Sequence, residues 1–188
     1  MSRKKDKLCE SDIVTSLWNQ YGRNQTACNN IYYYPFESDL LILRDSGTVI
    51  EYEVKLSVAD YKADFKKQTR DHKHAKDSSL NKLYSGRDAI SRHRYLLNKE
   101  GANMFYYVAP RHVFDEIQVP EWAGKIEARP SRYKNHAYTS ILRQAKKLHK
   151  KKADDKLEHK ILRSIYYKYW KYFANQNIHY ERSIKRSN

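Results

Sequence analysis

The chain has 188 residues, 40% of them hydrophobic, and carries 37 Lys and Arg against 22 Asp and Glu for a net charge of +15. That length suits one domain with at most an appendage, and the apolar share is enough for a core. The basic balance points to a polyanionic partner, most simply nucleic acid, with a soluble basic protein lacking such a partner as the plainer alternative.

The first residues are charged and lead into no long apolar run, so neither a signal peptide nor a membrane span is expected, and the product reads as soluble and cytoplasmic. Cys9 and Cys28 form no C-x-x-C pair. A structural zinc site is therefore not expected; a disulfide between them is open, and a reduced setting is the simpler reading.

Residues 1–8 read as a frayed basic arm. A helix is expected over 11–21, with Ser11 as N-cap, an apolar face of Ile13, Val14, Leu17 and Trp18, and Gly22 as its stop. Polar residues 24–30 read as loop, and the aromatic run 31–36 as a strand ending near Pro35. Two runs rich in Leu, Ile and Val then flank Asp45-Ser46-Gly47, a β-hairpin signal. In the second arm Val49, Glu51, Glu53 and Lys55 share one face, while Ile50, Tyr52 and Val54 share the other. Asp39, at the start of the first arm, can face Glu53 across the pair. Stability does not call for such a cluster, because like charges on neighbouring positions repel. A divalent metal explains it: hard cations such as Mg²⁺, or Mn²⁺ in its place, take carboxylate oxygens, and a nearby lysine can hold or activate a water. The plain alternative is a salt-bridged strand face, with Glu51 either supporting the cluster or sitting at the solvent rim.

A helix is expected from 58 to about 74. Val58, Tyr61 and Phe65 make its apolar side, and Lys62, Lys66, Lys67, Arg70 and Lys73 its other face, which is either solvated or a neutraliser of phosphates. Residues 71–94 hold His72, His74 and His93 without a companion acid or cysteine at ligand spacing, and read as a basic segment that orders on DNA. His93 is a candidate phosphate donor or an ordinary surface histidine. Helix is expected over 88–98, a buried strand over 103–110, a short helix over 112–117, a turn at 120–124 and a short strand over 125–129. From Ser140 onward there are fourteen Lys and Arg against four acids. Leu157, Ile161, Ile165, Tyr169 and Phe173 recur at helical spacing, so a long amphipathic helix is expected, its aromatics packing on the core or on a dimer mate. Two units follow: a core over 1–135 and a basic helical extension over 136–188 packed on it. Lys150, Lys151 and Lys152 are further candidate contacts to nucleic acid.

On Asp39 and Glu53-Val54-Lys55 the sequence resembles the PD-(D/E)XK nuclease superfamily, whose pattern is an Asp at a strand start, a hairpin, then Glu-x-Lys on the next strand. Residues 56–65 resemble the helix that follows the motif, and 103–110 the strand after it. The position before the Asp, often Pro in the family, is Ser38 here. The resemblance covers about residues 10–130 and implies an α/β, restriction-endonuclease-like αβββαβ core with a mixed sheet. It further implies metal ligation by Asp39, Glu53 and the Val54 carbonyl, with Glu10 as an additional acid or simply an N-terminal acid favoured by the helix dipole. Lys55 would position or help deprotonate the attacking water. The expected activity is Mg²⁺-dependent hydrolysis of phosphodiester bonds in double-stranded or branched DNA, by a monomer or a homodimer. The rivals are a Holliday-junction resolvase, a sequence-specific nuclease, and a non-catalytic nucleic-acid-binding protein on the same fold, with RNA as a possible substrate.

Overall fold

A computed structural model describes residues 8–64, 91–133 and 136–187, with side chains to residue 175. Residues 1–7, the whole segment 65–90, and with it Lys66, Arg70, His72, Lys73 and His74, lie outside the described residues.

The architecture is α/β: one six-stranded mixed sheet in sequential order, with helices on both faces. Its strands are β1 (Thr26–Ile31), β2 (Ser38–Leu43), β3 (Val49–Val54), β4 (Met104–Ala109), β5 (Gly124–Pro130) and β6 (Ala137–Arg143). The first three pair antiparallel, β3–β4 and β4–β5 parallel, and β5–β6 antiparallel. The helices are α1 (Glu10–Leu17), α2 (Val58–Asp64), α3 (Arg92–Leu97), α4 (Arg111–Glu116) and α5 (Asp155–Ser187).

Strand alternation divides the core in two. Leu40, Ile42, Ile50, Tyr52 and Val54 pack with Ile13 and Leu17 of α1 on one face. Leu41, Leu43, Val49, Phe105 and Tyr107 pack with Tyr61, Leu96, Val113, Leu157 and Ile161 on the other. Period-2 patterning produces both layers, because each residue step reverses the side chain's direction. The hairpin forms as its sequence dictates: Gly47 sits at φ 77°, open to a residue without Cβ, and Arg44 N–H donates to the Thr48 carbonyl at 3.0 Å.

Four expectations need correction. Residues 24–30 are not loop: β1 occupies most of them, with Cys28 and Ile31 buried and Asn29 and Asn30 exposed. Hydrogen bonding to β2 overrides the poor strand propensity of asparagine at an edge. The aromatic run after Ile31 is not strand: β1 ends at Ile31, still paired with Ser38, and Tyr33 and Tyr34 pack on the core instead. Cys9, not Ser11, precedes the first helix, which makes Glu10 its first residue, and the helix continues as a π-helical turn (Trp18–Gly22) to the expected stop.

The fourth concerns 136–188. This segment opens as β6, an edge strand of the same sheet, and its start is tied to α1 by the Ala137 N–H donating to Ser16 Oγ at 2.8 Å. Its helix α5 begins only at Asp155, where Asp154 Oδ1 accepts from the Leu157 N–H at 3.0 Å as an N-cap does. The boundary expected at 135 therefore cuts through one sheet, and Leu157 and Ile161 belong to the shared core.

Candidate functional site

The start of β2 and the end of β3 meet as the alternation demands. Leu40 pairs with Tyr52 and Leu41 with Glu51, so the antiparallel register sets Asp39 against Glu53 one step further on. Asp39 Oδ2 accepts the Val54 N–H at 2.7 Å, which fixes that carboxylate at the mouth of the hairpin. Parallel pairing with β4 places Phe105 beside Glu51 and Tyr107 beside Glu53.

What burial does here was not legible in the sequence. Glu51, Glu53, Lys55, Asp64 and Arg92 are each no more than 2% exposed. Lys55 Nζ donates to Glu53 Oε1 at 2.7 Å and lies 3.5 Å from Asp64 Oδ1 and 3.7 Å from Asp60 Oδ1. Arg92 reaches in from α3, pairing Nη1 with Glu53 Oε2, lying 3.6 Å from Asp64 Oδ1, and donating through Nη2 to the Glu37 carbonyl. Its guanidinium lies between the rings of Phe36 and Phe105. Glu51 is not at the solvent rim: it is sealed in the interior, with Ser38 Oγ donating to its Oε1 at 2.9 Å.

The charge balance is the site's main electrostatic feature. Among the described residues, the carboxylates of Asp39, Glu51, Glu53 and Asp64 meet the cations Lys55 and Arg92. Burial pushes the Asp39 carboxyl up to about 7, with Glu53 and Glu10 adding to the rise and the Val54 N–H and Lys55 opposing it. Burial likewise pushes Glu51 up to about 7, against the pull of Arg92 and Ser38 and with the push of Glu53. Burial pulls the Lys55 ammonium down, but Glu53, Asp64 and Asp60 outweigh it, so the group stays protonated above the ordinary lysine value.

A second chain of hydrogen bonds braces the cluster. Tyr107 Oη donates to Asp64 Oδ2 at 3.1 Å, and His93 Nε2 lies 2.6 Å from the same hydroxyl. With the tyrosine proton on Asp64, His93 is the donor to Tyr107, and burial lowers its pKa to favour that neutral ring. His93 is thus turned inward against Tyr107 and Trp122 rather than toward a phosphate outside.

Of the expected site residues, the fold brings together Asp39, Glu53, Val54 and Lys55, while Glu10, exposed at the start of α1, reaches Asp39 through its field alone. Lys62 is exposed on α2. Lys150, Lys151 and Lys152 are exposed but sit elsewhere, around the hairpin turn at the opposite end of β3: Lys152 lies against Gly47, and the Lys151 carbonyl accepts from Asn103. The length of β3 separates them from the carboxylates by about 15 Å. Sequence reasoning missed Asp64, Arg92, Tyr107 and Ser38. The i, i+4 pair Asp60 and Asp64, on the helix after Lys55, was the one usable signal.

Among the described residues no three His, Cys, Asp or Glu side chains are grouped so as to hold a metal ion by themselves. Asp39 and Glu53 offer a two-carboxylate set. Their hard oxygen donors fit Mg²⁺ or Mn²⁺, with main-chain oxygen and water completing the shell.

Among the described residues no helix is long and apolar enough to cross a membrane. No family model matches the chain, and no curated protein does. Among solved structures it is similar to a protein of unknown function from Silicibacter pomeroyi, with a TM-score of 0.51 at 14% identity over 95% of this chain and 96% of that one, a likeness of fold.

Proposed function

We propose that this protein is a metal-dependent endonuclease acting on DNA, built on a restriction-endonuclease-like core. One observation carries the proposal: at the mouth of a hairpin, Asp39 stands against Glu53 with Lys55 bonded to it, two carboxylates and an ammonium gathered where a hard divalent cation and its water would need them. The described order of helix, three strands, helices α2 and α3, then strand is compatible with the αβββαβ core that the motif implies.

Asp39 and Glu53 would hold Mg²⁺ or Mn²⁺ through carboxylate oxygens, with the Val54 carbonyl as a third donor. Such a cation lowers the pKa of a coordinated water and neutralises charge at the scissile phosphate. Glu53 is committed on both oxygens to Lys55 and Arg92, so its role is to be oriented by these cations while sharing its charge with the metal. Lys55, held as an ammonium by Glu53, Asp64 and Asp60 in the metal-free protein, would orient water and counter charge on the phosphate. The +15 chain charge supplies the affinity for a polyanion.

The test is Mg²⁺-dependent cleavage of a matched panel: linear duplex, supercoiled plasmid, single strand, four-way junction and RNA. Wild type is compared with Lys55→Met and Asp39→Asn, each checked for folding by thermal unfolding. Cleavage that is lost in both folded variants, with DNA affinity kept within a few-fold, is the expected result. A preference for the junction would mark a resolvase. Tight binding without cleavage of any member would replace the enzyme by a binding module.

A further inference from the structure

The solvent-facing side of α5 carries no role in the site above. Leu157 and Ile161 bury the first turns of this helix, and Lys168, on the same side, donates to the Asn29 carbonyl of β1. Winding away from that side are Leu162, Ile165, Tyr166, Tyr169, Trp170 and Phe173, a helical seam three turns long. These six are between 39% and 66% exposed. The rings contact one another along the helix: Tyr166–Trp170 at 6.0 Å, Tyr169–Trp170 at 5.7 Å and Trp170–Phe173 at 5.6 Å near edge-to-face, and Tyr169–Phe173 stacked at 6.3 Å.

We infer that this stripe is a self-association surface that pairs the helix with its counterpart in a second copy of the chain. Two observations favour that occupant. The six seam side chains are uncharged, and Lys160 and Lys168 of the same helix are turned away toward Tyr33 and β1. The area also suffices: taking about 200 Å² for a fully exposed aromatic side chain, the four rings offer about 400 Å². Leu162 and Ile165 bring the stripe to about 550 Å² per chain, at the upper end for a monomer's largest apolar patch. Stripe on stripe, two copies bury about 1,100 Å², near the lower edge of a specific interface. An isologous pairing needs only one self-complementary seam. This inference does not depend on the nuclease reading.

The experiment is sedimentation equilibrium of the full chain without nucleic acid, from about 1 to 200 µM, at low and high salt. Wild type should pass from monomer to dimer on the order of tens of micromolar. Raising salt should leave the dimer intact or strengthen it, because the seam is apolar. Tyr169→Glu with Trp170→Glu should remain monomeric throughout, with an unchanged far-UV spectrum and unfolding midpoint. A wild type that is monomeric at 200 µM overturns the inference, as does a dimer that survives the double variant. If the monomeric wild type binds single-stranded DNA and the double variant loses that affinity tenfold, the stripe is a base-stacking surface instead.

Discussion

Replacing Glu51 by Gln should stabilise the metal-free protein at high pH, although the residue is fully buried and hydrogen-bonded. Burial raises its carboxyl from 4.5 to about 7. Between those values the folded state keeps a proton that the unfolded chain has released, so stability falls as pH rises through the window and levels off above it. The distance between the two values corresponds to about 3 kcal/mol withheld from the fold once the group ionises. Gln keeps the shape and an oxygen that can accept from Ser38 Oγ, and it carries no charge. At pH 5, where wild-type Glu51 is neutral, the variant should lie within about 1 kcal/mol of wild type. At pH 8 it should be more stable by up to about 3 kcal/mol. Urea unfolding followed by circular dichroism in the presence of a chelator measures both. Asp39 also titrates near 7 but cancels in the difference between the two proteins. A variant more than about 1 kcal/mol less stable than wild type at pH 8 would show that Glu51 works as the ionised partner of Arg92 and that burial does not raise its carboxyl.

Arg92→Met removes a buried cation from Glu53 and Asp64 and should cost about 3–5 kcal/mol in urea unfolding. A cost below about 1 kcal/mol would mean the guanidinium is not a main counter-ion of the cluster. Gly124→Ala should destabilise by at least about 1–3 kcal/mol, because a Cβ there would stand 2.2 Å from the Tyr106 ring and 2.9 Å from the Ala145 nitrogen. An unchanged melting midpoint would refute that packing. His93 has its pKa lowered by burial, so the stability it contributes is full above about 6.5 and is lost as pH falls below that value. His93→Gln should therefore cost more at pH 8 than at pH 5; equal costs would place the ring in water.

Much of this protein was determined locally. Alternation in residues 49–55 placed Glu51, Glu53 and Lys55 on one face, and Gly47 closed the hairpin that sets Asp39 against Glu53, because both depend on backbone geometry over a few residues. The apolar run at 104–109 similarly announced β4 at the centre of the sheet. The edge strands β1 and β6 were illegible for the converse reason: with one side toward water they carry polar residues, and only the open edges of β2 and β5 make them strands. Tertiary structure alone decided that the carboxylate face would be sealed from water, and that Arg92 and Asp64, 28 residues apart in the sequence, would meet at Lys55 and Glu53. Periodicity says which way a side chain points, but partners and dielectric are set by what other parts of the chain bring against it. In that interior, ionisation energies are several times what they are at the surface.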